Sequence, residues 1–257
     1  MITFKSDRDI VKMRKAGQLV ADILKLMRDL VKPGIDTLTL DLAAENLIKK
    51  SGGKPAFKNY KVSWVPIAFP GTICASINNE IVHGIPSKDR ILTEGDIFTV
   101  DTGASIDGFF GDACCTYAVG HISDERKRLL DITLQSLHNG MKAVRPGATL
   151  GDVGYAVERT VAPYGYGLVR DYAGHGIGRR LHEAPQIPNY GKPGNGLIIK
   201  PRMTLCVEPM VMTGAEEVRT LDDHWTVVTA DGSDSAHFEN TLLVTDNGVE
   251  VLTPWEE

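Results

Sequence analysis

A chain of 257 residues, 42% hydrophobic and 24% charged, is long enough for a sizeable core and has the composition of a globular protein. A formal net charge of −5 and the lack of any basic cluster beyond short runs such as Asp124 to Arg128 argue against a broad nucleic-acid surface. No apolar run approaches the roughly 18 residues of a membrane span, and the first residues lack the apolar core of a secretory signal. The four cysteines, Cys74, Cys114, Cys115 and Cys206, form no C-x-x-C pair, so a reduced, cytoplasmic setting is expected. A metal site, if built at all, must use histidines and carboxylates.

In chain order, Ser6 followed by Asp9 predicts a capped helix start, and the segment from Ile10 to Val31 keeps apolar residues at helical spacing. Pro33-Gly34 breaks it, and a second helix is expected from about Thr37. The pattern returns from about Asp124: a helical run, then Val144-Arg145-Pro146-Gly147 matching Val31-Lys32-Pro33-Gly34, then a second restart. The run Asp124 to Arg128 is expected to be a solvated helix face. After each helix pair come a histidine-glycine segment (His83 to Pro86, His175 to Gly178) and a turn leading into a strand that carries a carboxylate, Asp101 or Glu208. A further acid-bearing strand follows in each half, with Asp112 or Glu239. Five matches in the same order favour an internal duplication: one catalytic domain over 1–257 with halves of roughly 6–120 and 124–250. Such halves predict an α+β fold, helices covering one face of a curved, mainly antiparallel sheet.

The stretch Gly174-His175-Gly176-Ile177-Gly178-Arg179-Arg180-Leu181-His182-Glu183 begins, at His182-Glu183, like the zinc-protease helix motif H-E-x-x-H. Gln186 stands where the second histidine belongs and Pro185 precedes it, so no zinc-binding helix is expected there. The glycines are expected to carry the backbone close to metals, and Glu183 to be no more than a neighbour.

Strand alternation puts Ile97, Thr99 and Asp101 on one face and Phe98 and Val100 on the other. Asp112 lies eleven residues on, after a turn-like segment, so that the two aspartates are expected to face each other across a hairpin. Glu208 and Glu239 repeat the situation. Four acids in apolar strands repel strongly when ionised together, and two divalent cations resolve the conflict. Carboxylates with one imidazole form a hard, oxygen-rich set that favours Mn, Fe or Co over structural zinc. A pair of such ions can clamp a carbonyl and activate water.

Together, "VDTG", "DGFFGDA", "GHGIG", "VEPM" and "HFENT" resemble the type I methionine aminopeptidases of bacteria and organelles, over almost the whole chain. The resemblance implies a pita-bread fold of two pseudosymmetric halves and removal of initiator methionine from new chains, with a small second residue preferred. It implies two divalent metal ions (Co, Mn, Fe or Zn) on Asp101, Asp112, His175, Glu208 and Glu239, with Asp112 and Glu239 shared between them. It also implies that Glu208 carries a proton from activated water to the leaving amine and that His182 contacts the scissile carbonyl. His83 is placed beside the peptide, and Phe57, Tyr60, Cys74 and Trp225 against the methionine side chain. A monovalent cation near Asn78 and Ser235, a monomeric state, nascent-chain N-termini as partners and transient ribosome contact accompany it; nucleic-acid and membrane binding do not.

The segment between Tyr60 and Cys74 is a few residues longer than is usual in that family, and Leu181 stands where an aromatic is common. Both features border the expected pocket. An X-Pro aminopeptidase is disfavoured because only about five residues precede the first helix, and a non-catalytic relative because all five expected ligands are present.

Overall fold

The helices begin and end where local chemistry dictates. In this computed structural model, which describes residues 2–256, α1 spans Asp7–Leu30 and α2 Thr37–Lys50. α1 opens with the reciprocal Ser6/Asp9 capping box and α2 is capped by the Asp36 carboxylate. α3 covers Asp124–Ala143 behind Ser123, and α4 covers Leu150–Val161 behind a Thr149/Asp152 capping box. The breaks correspond as well. Val31 and Val144 are extended C-caps, and Gly34 and Gly147 adopt left-handed φ values of 88° and 85°, which favour glycine.

Met13, Ala16, Val20, Ile23, Leu24 and Met27 form the buried stripe of α1, three or four residues apart. The stripe packs on the long hairpin Ile97–Ile106 and Phe109–Ala118. Burying each large side chain contributes about 1.5–3 kcal/mol, and the resulting core includes Phe98, Val100, Leu205 and Val207 from both halves. A second apolar cluster gathers Phe57, Phe69, Cys74, Leu181 and Trp225 together with Met13 of α1.

All strand pairs are antiparallel, but the single curved sheet expected from the sequence is divided into four hydrogen-bonded sheets of four, three, three and five strands. The hairpin turn is the two-residue Asp107-Gly108, both with positive φ (53° and 79°). This is tighter than the turn-like segment anticipated. In the second half Thr204–Val207 pairs with Asn240–Val244.

The halves join edge to edge. Glu239 N donates to Cys114 O at 2.9 Å, and Thr116 Oγ1 donates to His237 O at 2.8 Å. Asp112 O accepts from Thr241 Oγ1 at 2.7 Å. The seam therefore runs along the middle of the first hairpin, beside Asp112, and past the end of the second ladder at Glu239.

Candidate active site

Register brings the acids together. Asp101 pairs with Cys114 and Asp112 with Gly103, so the two aspartates are diagonal neighbours on one face of the hairpin, not directly opposed as expected from the sequence. Glu208 and Glu239 follow the last ladder pair, Val207 with Asn240, and the Cys114–Glu239 bridge sets Glu239 beside the hairpin. Ligand atoms of Asp101, Asp112 and Glu239 lie within 4.8 Å of one another. His175 Nε2 completes the group, 3.7 Å from Asp112 Oδ2 and 3.6 Å from Glu208 Oε1. Its other nitrogen, Nδ1, lies 2.9 Å from Gly176 O, an arrangement that turns Nε2 toward the acids.

The glycines around His175 are required by close neighbours. A Cβ at Gly174 would collide with the Cys206 carbonyl oxygen, and one at Gly176 with that of Ala184. Neighbouring strands thus require the bare backbone. Glu183 is also more than a neighbour. Its carboxylate accepts from Lys5 Nζ at 3.1 Å, from Thr3 Oγ1 at 2.7 Å and from Arg180 N at 3.1 Å, which ties the His182 loop to the N-terminal segment. Glu183–Ile187 is a strand, as the failure of the zinc-helix motif demands.

Burial and mutual repulsion define the electrostatics. Asp101 is pushed up to about 6 by burial. Asp112, Glu208 and Glu239 are raised well above the ordinary carboxylate range, first by burial and then by the charge of neighbouring acids, which for Glu208 is that of Asp101. Among the described residues no lysine or arginine pairs with any of the four. Asp101 Oδ1, Asp112 Oδ1 and Glu239 Oε1 are buried without a hydrogen-bond partner. Orphaned oxygens converging with one imidazole are what a divalent cation would satisfy, so the donor set fits a metal. Cys206 Sγ is nearby but contacts Thr241 Oγ1 at 3.4 Å, and burial first, then the neighbouring acids, raise its thiol well above its usual range.

The acids open into a cavity of about 910 Å³ lined by all six side chains assigned to substrate binding: Phe57, Tyr60, Cys74, His83, His182 and Trp225. Tyr60 Oη lies 2.7 Å from His182 Nδ1, and the His182 ring sits edge-on to His175 with centroids 4.5 Å apart. His83 stands edge-on to Trp225 and Tyr172, its pKa lowered to about 4 by burial, so it is neutral near pH 7. Asn78 and Ser235, tied by resemblance to a monovalent cation, are bonded directly: Ser235 N donates to Asn78 O at 2.9 Å.

One polar residue of the site escaped the sequence reading. His237 is 1% exposed, neither ring nitrogen has a hydrogen-bond partner, and Nε2 lies 3.6 Å from Glu208 Oε2. Its signal was available: His237 and Glu239 are two apart in extended chain and share a face.

Similarity to known proteins decides the family. The model of metallopeptidase family M24 matches residues 11–246. The chain belongs to metallopeptidase family M24. A methionine aminopeptidase of Clostridium acetobutylicum is 47% identical across 98% of this chain and 99% of its own length. Methionine aminopeptidase 1 of Bacillus subtilis is 46% identical with the same coverage. Among solved structures, methionine aminopeptidase from Thermotoga maritima superposes with a TM-score of 0.95 at 44% identity, covering 98% of this chain and 99% of that one. The prolidase of Pyrococcus horikoshii shares the fold, with a TM-score of 0.75 at 22% identity, covering 97% of this chain and 63% of that one. The metallopeptidase thus has the pita-bread architecture that the resemblance implied, and divalent metal belongs to its chemistry.

Proposed function

We propose that this metallopeptidase removes the N-terminal methionine from peptides and nascent proteins, with small second residues preferred, as one catalytic domain of two related halves. The observation that carries the reading is the convergence of Asp101, Asp112, His175, Glu208 and Glu239 at the floor of a cavity walled by aromatic and sulfur side chains. The full-length similarity to methionine aminopeptidases supports it.

Those five side chains would hold two divalent cations (Co, Mn, Fe or Zn). Bound there, the ions supply Lewis-acid polarisation of the scissile carbonyl and lower the pKa of water. Glu208 moves the proton from the attacking water to the leaving amine. Tyr60 orients His182 through Nδ1, leaving Nε2 to stabilise the developing oxyanion. His83, neutral by burial, hydrogen-bonds the peptide beside the scissile bond. Phe57, Tyr60, Cys74 and Trp225 surround the methionine thioether, whose polarisable sulfur suits aromatic neighbours. A monovalent cation at Asn78 and Ser235 would have to share a carbonyl already bonded to an amide.

Protein reconstituted with Mn, Co or Fe is expected to release methionine from Met-Ala-Ser. Inertness toward that peptide in every metal form would overturn the reading. Cleavage of X-Pro peptides instead would move the protein to another activity of the fold.

A further inference from the structure

The segment Lys61–Ala68, longer than resemblance to the family leads one to expect, is anchored at both ends in the site. Asn59 N donates to Phe69 O at 2.8 Å and Phe69 N to Tyr60 O at 2.9 Å, pinching its base. Tyr60 is the residue that contacts His182, and the Trp225 indole N–H donates to Ile67 O at 3.2 Å. Val62 and Val65 pack inward on the aromatic cluster around Phe57 and Phe69. Trp64 does the opposite. It is 80% exposed, yet it lines the same cavity as Asp101 and Glu208.

An indole held at the rim of a site by a doubly anchored loop is poised to bury apolar surface on an occupant. The cavity is near the upper end of the roughly 300–1,000 Å³ that holds drug-sized ligands. A single methionine side chain fills only part of that volume, so the remainder must receive the chain beyond the scissile bond. Successive residues of an extended peptide advance about 3.3–3.6 Å each, which carries the chain from the acids toward the rim within a few residues.

We propose that Lys61–Ala68 is a substrate-binding strap, and that Trp64 packs on the first apolar side chain of the substrate after the small second residue, at position three or four. The inference rests on the aminopeptidase reading and adds to it a selectivity for downstream sequence. Because Trp64 makes no buried contact, its replacement leaves the fold intact and the test is clean.

The test compares kcat and KM for Met-Ala amide, Met-Ala-Ser-Ser-Gly, Met-Ala-Leu-Ser-Gly and Met-Ala-Ser-Leu-Gly in wild type, Trp64→Ala and Trp64→Phe. The alanine variant is expected to lose about tenfold more kcat/KM on one of the leucine peptides than on Met-Ala amide, through KM, with phenylalanine restoring most of it. A second readout needs no turnover. Leucine peptides with a non-hydrolysable first bond should shift the wild-type indole emission to the blue, a change absent from Trp64→Ala. An equal loss on all substrates, no loss on any, or a loss confined to kcat would overturn the strap. Release of methionine from Met-Ala amide by the wild type would still uphold the aminopeptidase reading. A wild type inert on every peptide would overturn both.

Discussion

The floor and the rim of the cavity are built on opposite principles. The floor acids sit in the middle of one antiparallel ladder (Asp101 and Asp112) and just past the end of another (Glu208 and Glu239), with Asp112 and Glu239 only 3% and 2% exposed. Backbone bonds across the seam lock them in place, including Glu239 N to Cys114 O. The rim is a loop with Trp64 and Ile67 in solvent, held by two backbone hydrogen bonds at its base and by the Trp225 N–H on Ile67 O. Chemistry that depends on sub-ångström placement belongs on the ladders, whereas discrimination among substrates tolerates, and uses, a surface loop.

The sharpest way to separate the two regions is Glu208→Ala, which should lower kcat on Met-Ala-Ser by about 10³-fold or more, with the fold intact by circular dichroism. Substantial retained turnover would remove the proton-carrying role from Glu208. Next in size is the tie beneath the His182 loop. Lys5→Met leaves the Glu183 carboxylate buried without its cation, and thermal unfolding should show a loss of about 3 kcal/mol. The hydrogen bonds from Thr3, Arg180 and Lys5 outweigh burial and hold Glu183 below its ordinary value of 4.5. A depressed carboxyl stabilises the fold above its unfolded pKa. This contribution is therefore full at neutral pH and disappears as pH falls through and below about 4.5. A wild-type minus Glu183→Gln stability difference that is flat from pH 7 to pH 3 would contradict it.

Smaller again is Trp225→Ala, at the boundary of floor and rim. It removes the wall of the methionine pocket and the N–H bond to Ile67. KM for Met-Ala-Ser should rise about tenfold, with a lesser change in kcat. Smallest is the effect of Trp64→Ala on stability, expected to lie within about 0.5 kcal/mol of wild type because the side chain is in solvent. A larger loss would mean that the rim is part of the core after all.

Local patterns were legible in the chain. The Ser6 and Thr149 caps, the paired Pro-Gly breaks and the alternation that puts Asp101 on an otherwise apolar strand all depend on residues within a few positions of one another. His237 follows the same rule relative to Glu239 and opens the motif "HFENT", yet no role was drawn from it. The glycines of Gly174-His175-Gly176 were legible as a demand for close approach, but not the strands that approach. The carbonyls of Cys206 and Ala184 come from strands later in the chain.

By itself, then, the sequence determined the helix ends, the repeat, the acid-bearing strands and the resemblance to a metallopeptidase family, because hydrogen-bonding and periodicity rules act over a few residues. Only the tertiary structure decided that Asp101 and Asp112 meet diagonally and that Cys114 joins Glu239 across the halves. The same holds for Lys5 finding Glu183 and for an exposed tryptophan sharing a cavity with buried acids. Each of those depends on where strands and loops far apart in the chain come to rest, which is set by packing of the two halves and by no local rule.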